Sequence, residues 1–248
     1  MPREVNVHLL PSHFEPVALR GGIAVVIDLL RATTTIITAL ANGARCVLPC
    51  GDIEAATRAA GGLPVGSVLL GGERGGVKIE GFDLDNSPAA YTSGRVAGKT
   101  IAFTTTNGTA ALLRSREAAR VLVGSLVNRR AVARAIAAAD RPVHLVCAGT
   151  EGHVTAEDIV TAGAIVAELE VILGGTASHD DTALLARELW TAESTTSERL
   201  LSILRLSQGG SNLVQLGFDR DIEFAARVDS FDLVAEYFPQ TGDVRTVR

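Results

Sequence analysis

Short apolar runs alternate along the chain with stretches of helical periodicity. Ile23–Ile27, Thr100–Phe103 and Val143–Cys147 are dense in apolar and β-branched residues and read as buried strands. Val5–Leu9, Cys46–Leu48, Leu69–Gly71 and Val121–Val123 read as further strands. Between them the spacing predicts helices over Thr34–Ala41, Ile53–Ala60, Thr109–Leu113, Val127–Ala139, Ala156–Leu169 and Asp181–Trp190. Strands alternating with helices predict an α/β fold with a mainly parallel sheet covered on both faces. Beyond about residue 190 the pattern changes to short capped helices, Ser194–Arg205 and Gly210–Leu216, with another starting within Asp219–Asp221. Leu63–Tyr91 is rich in Gly and charge and too long for a plain crossover, which marks a functional loop. One domain over 1–248 accommodates these parts.

Each of the three most apolar runs ends in a polar loop that leads into a helix. Ligands in open parallel sheets bind beyond the carboxyl ends of the strands. Parallel strands would therefore bring Asp28, Arg31, Thr104–Gly108 and Glu151–Asp158 to one edge.

Several residue groups at that edge suit the handling of an anion. Thr104–Thr109 joins hydroxyls, a Gly and a helix start, an arrangement that serves as an anion cradle or as a plain N-cap. Asp28 interrupts an apolar run, and Arg31 follows it. A carboxylate there serves as a Mg²⁺ ligand, base or nucleophile, and the guanidinium fork suits a phosphate or sulfonate; a surface ion pair is the plain alternative. In Gly71–Asp83, charges stand between glycines, with Arg74 and Lys78 as cations and Glu73 as a metal-facing acid; a solvated loop is the alternative. Glu151, Glu157 and Asp158 are hard oxygen donors fit for Mg²⁺, or first-turn acids supporting a helix dipole. The segment does not match a P-loop, and Cys147 lacks the Arg six residues on that a cysteine phosphatase needs.

Composition narrows the class further. The net charge of −5 argues against a nucleic-acid partner, so an anionic ligand needs a local cluster of cations. Aromatics make up only 4%, so the core must be built from Ala, Val, Ile and Leu. Three cysteines without a CxxC spacing suggest a reducing compartment, and no signal peptide or membrane span is seen, so a cytoplasmic protein with no membrane partner is expected. A homodimer is the default for a soluble enzyme. Lysine occurs only at Lys78 and Lys99.

Four stretches carry a resemblance: Asp28–Ile36 (DLLRATTTI), Gly72–Pro88 (GERGGVKIEGFDLDNSP), Thr104–Thr109 (TTTNGT) and Cys147–Asp158 (CAGTEGHVTAED). Ser207–Asp221 matches more weakly. With them the chain resembles the 2-phosphosulfolactate phosphatases of coenzyme M biosynthesis over nearly its whole length. The resemblance implies a three-layer α/β/α fold with a mainly parallel or mixed sheet. It also implies Mg²⁺-dependent hydrolysis of a small anionic phosphorylated substrate, 2-phosphosulfolactate, to sulfolactate and phosphate. The chain departs from the family pattern at Asp85, where the family has a Gly able to take a positive φ.

The expected assignment follows. Asp28, Arg31 and Lys78 are catalytic, and Arg74, Thr105, Thr106, Asn107 and Gly108 hold substrate. Mg²⁺ sits on some of Asp28, Glu73, Glu151 and Asp158. Direct attack by water and a covalent Asp28 intermediate both remain open. Two alternatives stand beside this reading: a phosphatase of another small phosphorylated hydroxy acid, and a non-catalytic anion-binding protein on the same fold.

Overall fold

A computed structural model describes residues 3–175 and 177–247. Among them, eleven strands form one mixed sheet: β1 (Arg3–His8), β2 (Ile23–Ile27), β3 (Cys46–Pro49), β4 (Val68–Arg74), β5 (Val77–Lys78), β6 (Thr100–Thr104), β7 (Arg120–Gly124), β8 (Val143–Cys147), β9 (Ala177–His179), β10 (Val234–Phe238) and β11 (Asp243–Val247). The helices are α1 (Ala32–Ala41), α2 (Ile53–Gly61), α3 (Ser93–Val96), α4 (Gly108–Arg114), α5 (Arg129–Ala137), α6 (Ala156–Leu173), α7 (Asp181–Glu193), α8 (Ser197–Leu206), α9 (Gln208–Gln215) and α10 (Asp219–Ala225).

Both faces of the central strands are apolar because both are covered. In β2, Ala24 and Val26 join one core with Ile36 and Ile37 of α1 and Ala111 and Leu112 of α4. Ile23, Val25 and Ile27 join the opposite core with α5, α6 and α7. Ala56 of α2 packs with Cys50, Ile79, Phe82 and Ala102 near the β4 end of the sheet. Helices α8–α10 close over Leu29 and the end of α6 through Leu204, Leu213 and Ile222. The result is the three-layer α/β/α arrangement. The three cysteines are free and buried, and among the described residues no helix is long and apolar enough to cross a membrane.

Spatial order is β5-β4-β6-β3-β11-β10-β7-β2-β8-β1-β9. Strands β4, β6 and β3 are mutually parallel, and so are β7, β2, β8, β1 and β9. The β10–β11 hairpin lies between these blocks and pairs antiparallel with β7 on one side and β3 on the other. Tracing direction through the hairpin, the two blocks run in opposite senses. The loops after β2 and β8, parallel neighbours, converge as expected, whereas the loop after β6 comes from the opposed block. Five strand steps separate β6 from β2. At roughly 20–25° per step a sheet of ordinary twist would turn by about 100–125° over that span, and the loop after β6 meets the loop after β2 in a common crevice, with Gly108 against Asp28.

Two expectations need correction. The region beyond about residue 190 is not purely helical, since it also supplies β10 and β11. The Gly-rich segment is not a plain loop: Gly75 and Gly76, with φ of 59° and 80°, form the two-residue turn of a tight hairpin that pairs Glu73 with Lys78. Asp85 needs no glycine-like backbone, because positive φ among the described non-glycine residues occurs at Glu151 and Asp229. Its carboxylate instead accepts the Ser87 N–H at 2.9 Å.

Candidate active site

The crevice holds a cavity of about 250 Å³ lined by Asp28, Arg31, Glu73, Thr106, Asn107 and Glu151, among others. Each comes from the end of a strand or from a loop just beyond one. Asn86, Thr150, Asn212 and Gln215 add neutral polar groups, and Leu30, Leu213 and Leu216 give it an apolar lip. At about 30 Å³ of liquid volume per water, the space suits a small organic acid with a few waters.

Asp28 follows the last residue of β2. Its Oδ1 accepts the Ala32 N–H at the start of α1 at 3.1 Å, and its own N–H donates to Thr33 Oγ1 at 3.2 Å. Burial pushes its carboxyl up to about 7, and the charges of Glu73 and Glu157 act in the same direction. The Ala32 N–H and Arg31 oppose the shift. Gly108 stands against this carboxylate. A Cβ there would lie 2.6 Å from Asp28 Oδ2 and 2.6 Å from Ala32 Cβ, so only glycine lets α4 pack this close.

Arg31 is 3% exposed, yet it lines the cavity. Its Nη1 donates to Asp221 Oδ2 and its Nη2 to the Gly76 carbonyl, each at 2.7 Å. Its guanidinium lies 4.3 Å from the centre of the Phe218 ring.

Glu73 clasps two segments. Its Oε1 accepts the Thr106 N–H and its Oε2 the Gly76 N–H, each at 2.7 Å. Asn107 Oδ1 accepts the Glu151 N–H at 3.0 Å, which ties the loop after β6 to the loop after β8. Thr105 turns inward, where its Oγ1 accepts the Thr109 N–H at 3.2 Å.

Other candidates sit elsewhere. Arg74 donates to the Glu73 carbonyl at 2.7 Å and to Thr104 Oγ1 at 2.9 Å, which places it behind the cavity wall. Lys78 lies in β5, exposed and outside the cavity lining. Asp158 is buried, and its two oxygens accept the Leu29 and Gly149 N–H groups at 2.9 and 3.0 Å. Burial drives its carboxyl well above the usual range, and the charges of Glu157 and Asp28 add to the shift.

Three further groups matter here: Glu157, which the sequence offered as a Mg²⁺ donor or a first-turn acid but which was not carried into the expected assignment, and Asn86 and Asp221, which had no role. Glu157 is 2% exposed, and its Oε2 has no hydrogen-bond partner. Burial raises its carboxyl, and a Cβ on Gly209 at the cavity wall would run into its Oε1. Asn86 lines the cavity, and its Oδ1 is buried without a hydrogen-bond partner. Asp221 pairs with Arg31. The spacing signal for Glu157 is its position in the first turn of a helix that follows a buried strand. Asp221 shows in sequence only within the weak DRDI match.

The site therefore carries an excess of buried acid. Asp28, Glu73, Glu157 and Asp158 lie at or behind its wall, and the buried Arg31 is already paired with Asp221. Such an excess must be met by protons or by a cation. Among the described residues no three His, Cys, Asp or Glu groups could enclose a metal by themselves. That donor set excludes a closed protein cage but fits Mg²⁺, which takes one or two carboxylates and keeps several waters. Cys147 is also unsuited to be a nucleophile, because burial, followed by Asp158 and Glu157, pushes its thiol well up.

Comparison with known proteins identifies the family. Residues 9–239 match the model of the family described as 2-phosphosulpholactate phosphatase. A Symbiobacterium thermophilum protein is 46% identical over 87% of this chain and 91% of its own length. A Deinococcus radiodurans protein is 42% identical over 95% and 93% of the two chains, and one from Caldanaerobacter subterraneus is 42% identical over 90% and 89%. All three are named probable 2-phosphosulfolactate phosphatase. Those names describe hydrolysis of a phosphoric monoester, which sets aside the non-catalytic anion-binding alternative. A cavity walled by buried carboxyl groups and one anchored guanidinium, together with a match over residues 9–239, shows that the chain belongs to the 2-phosphosulpholactate phosphatase family.

Proposed function

We propose that the protein hydrolyses 2-phosphosulfolactate to sulfolactate and phosphate with the aid of Mg²⁺, in the cytoplasm, as in coenzyme M biosynthesis. The observation that carries this reading is the buried carboxyl excess at a cavity that also exposes an anchored Arg31. Asp28 and Glu157 would hold the ion, because Asp158 and Glu73 already spend their oxygens on main-chain N–H groups. When bound, Mg²⁺ supplies Lewis-acid polarisation of a phosphoryl oxygen. Arg31 binds the ester's anionic oxygens with the N–H groups that its protein partners leave over. Asp28, held as the carboxylate once the ion is bound, would activate an attacking water or attack phosphorus directly. The apolar lip keeps bulk water from screening these charges.

One experiment tests the reading: phosphate release from 2-phosphosulfolactate, with Mg²⁺ and with EDTA, for wild type and Asp28→Asn. Metal-dependent turnover that falls by roughly 100-fold or more in the variant is expected. Turnover that survives both treatments would remove the metal and Asp28 from the mechanism.

The placement of Arg74 and Lys78 off the cavity wall favours a second reading. Fewer cations then face the ligand than an ester with phosphate, carboxylate and sulfonate groups invites, so another small phosphorylated hydroxy acid with less charge is the competitor. A panel of phosphate esters assayed with Mg²⁺ ranks the two by kcat/KM.

A further inference from the structure

Asp221 is 4% exposed, comes from α10, and belongs to none of the loops whose spacing pointed to the site. Its two carboxylate oxygens have different tasks. Oδ2 accepts from Arg31 Nη1 at 2.7 Å, and Oδ1 accepts from Ser87 Oγ at 2.6 Å. The Gly76 carbonyl holds Nη2 of the same guanidinium at 2.7 Å, and Phe218 lies beneath it at 4.3 Å. The fork is thus fixed by α10, by the β4–β5 hairpin and by an aromatic ring. These bonds use two of its five N–H groups, so up to three remain for the cavity that Arg31 lines. Ser87 follows Asn86, whose carbonyl accepts from Thr35 Oγ1 at 2.7 Å and whose buried Oδ1 has no protein partner at the cavity wall.

We propose that Asp221 is a positioning residue for the reaction: it sets the aim of the Arg31 guanidinium and, through Ser87, fixes the segment that carries Asn86 at the cavity wall. Without Asp221, Arg31 keeps its charge but loses its direction, and a misaimed guanidinium grips an ester poorly. The inference deepens the phosphatase reading and rests on it for the identity of the anion.

The test uses the full chain with Mg²⁺ present, as wild type, Asp221→Asn, Asp221→Glu, Arg31→Lys and the Arg31→Lys/Asp221→Asn double variant. Two quantities are measured: affinity for inorganic phosphate by titration calorimetry, and KM and kcat with 2-phosphosulfolactate. Asp221→Asn should weaken phosphate binding and raise KM about tenfold or more, with a smaller change in kcat, since one charge-assisted bond is lost. Asp221→Glu should recover part of the affinity. The double variant should bind no more weakly than Arg31→Lys alone, because the acid acts through the guanidinium. Wild-type phosphate affinity in Asp221→Asn, or losses that simply add in the double variant, would overturn the proposal. If Asp221→Asn does not fold, Ser87→Ala decides: about two- to fivefold weaker phosphate binding supports the relay, and unchanged binding refutes it. Failure of wild type to turn over 2-phosphosulfolactate sinks that substrate alone, because the phosphate titrations still judge Asp221. A wild type that binds no phosphate ends the role of Arg31, and that of Asp221 with it.

Discussion

A single carboxyl group, Asp28, concentrates the electrostatics of the molecule. Its folded value near 7 stands above that of an exposed aspartate, so the folded state holds its proton more tightly than the unfolded chain does. The stabilisation is complete below about pH 4 and is lost as pH rises through about 7, an effect on the order of 4 kcal/mol. The metal-free protein should therefore melt lower at pH 8 than at pH 5, and Asp28→Asn should make that slope shallower, with Asp158 and Glu157 carrying the rest. Saturating Mg²⁺ should restore wild-type Tm at pH 8 and leave Asp28→Asn nearly unmoved. Calorimetric melting curves at the two pH values check this, and a slope identical in wild type and variant would mean that Asp28 is not the group responsible. At this scale the sequence was informative wherever polarity broke an apolar pattern. Asp28 ends such a run, and Glu73 stands between glycines. Asp221 and Asn86 escaped notice because their importance lies in surroundings distant in the chain, Arg31 for one and the cavity wall for the other.

At the scale of elements, the site depends on how closely α4 approaches α1. The glycine opening α4 leaves no room for a methyl group beside Asp28 and Ala32. Gly108→Ala should force one helix start aside, lower kcat/KM by about tenfold or more and cost roughly 1–3 kcal/mol of stability. Steady-state kinetics beside a thermal melt separate the two effects, and unchanged kinetics would show that α4 does not set the Asp28 geometry. The strands β1–β4 and β6–β8 were readable from period and β-branching, because burial on both faces leaves continuous apolar runs. The hairpin β10–β11 was not, since Glu236, Arg245 and Thr246 interrupt its apolar residues and it follows a helical stretch. The β4–β5 hairpin was mistaken for a loop because its turn glycines dominate the composition of that segment.

For the whole molecule, the hairpin is the joint on which everything else depends. Ala235, Tyr237 and Val244 belong to the same core as α1 and α4, and β10 and β11 are the sheet's link between the blocks carrying Asp28 and Glu73. A chain ended at residue 232 should lose cooperative melting, as the two blocks would face each other across unpaired edges. A sharp calorimetric transition in that truncation would show that the blocks hold together without their link. Loop convergence was expected from strands sharing one direction, and that holds for the loops after β2 and β8, which are parallel neighbours. The loop after β6 joins them from the opposed block, which the sequence did not indicate.

That joint has a consequence for biosynthesis. Residues 234–247 follow every other strand in the chain, so a ribosome delivers the middle of the sheet last. Until then Asp28, Arg31, Glu157 and Asp158 belong to one unfinished half and Glu73 and Thr106 to the other, so the cavity wall that the second half completes closes over the acids only when the hairpin is in place.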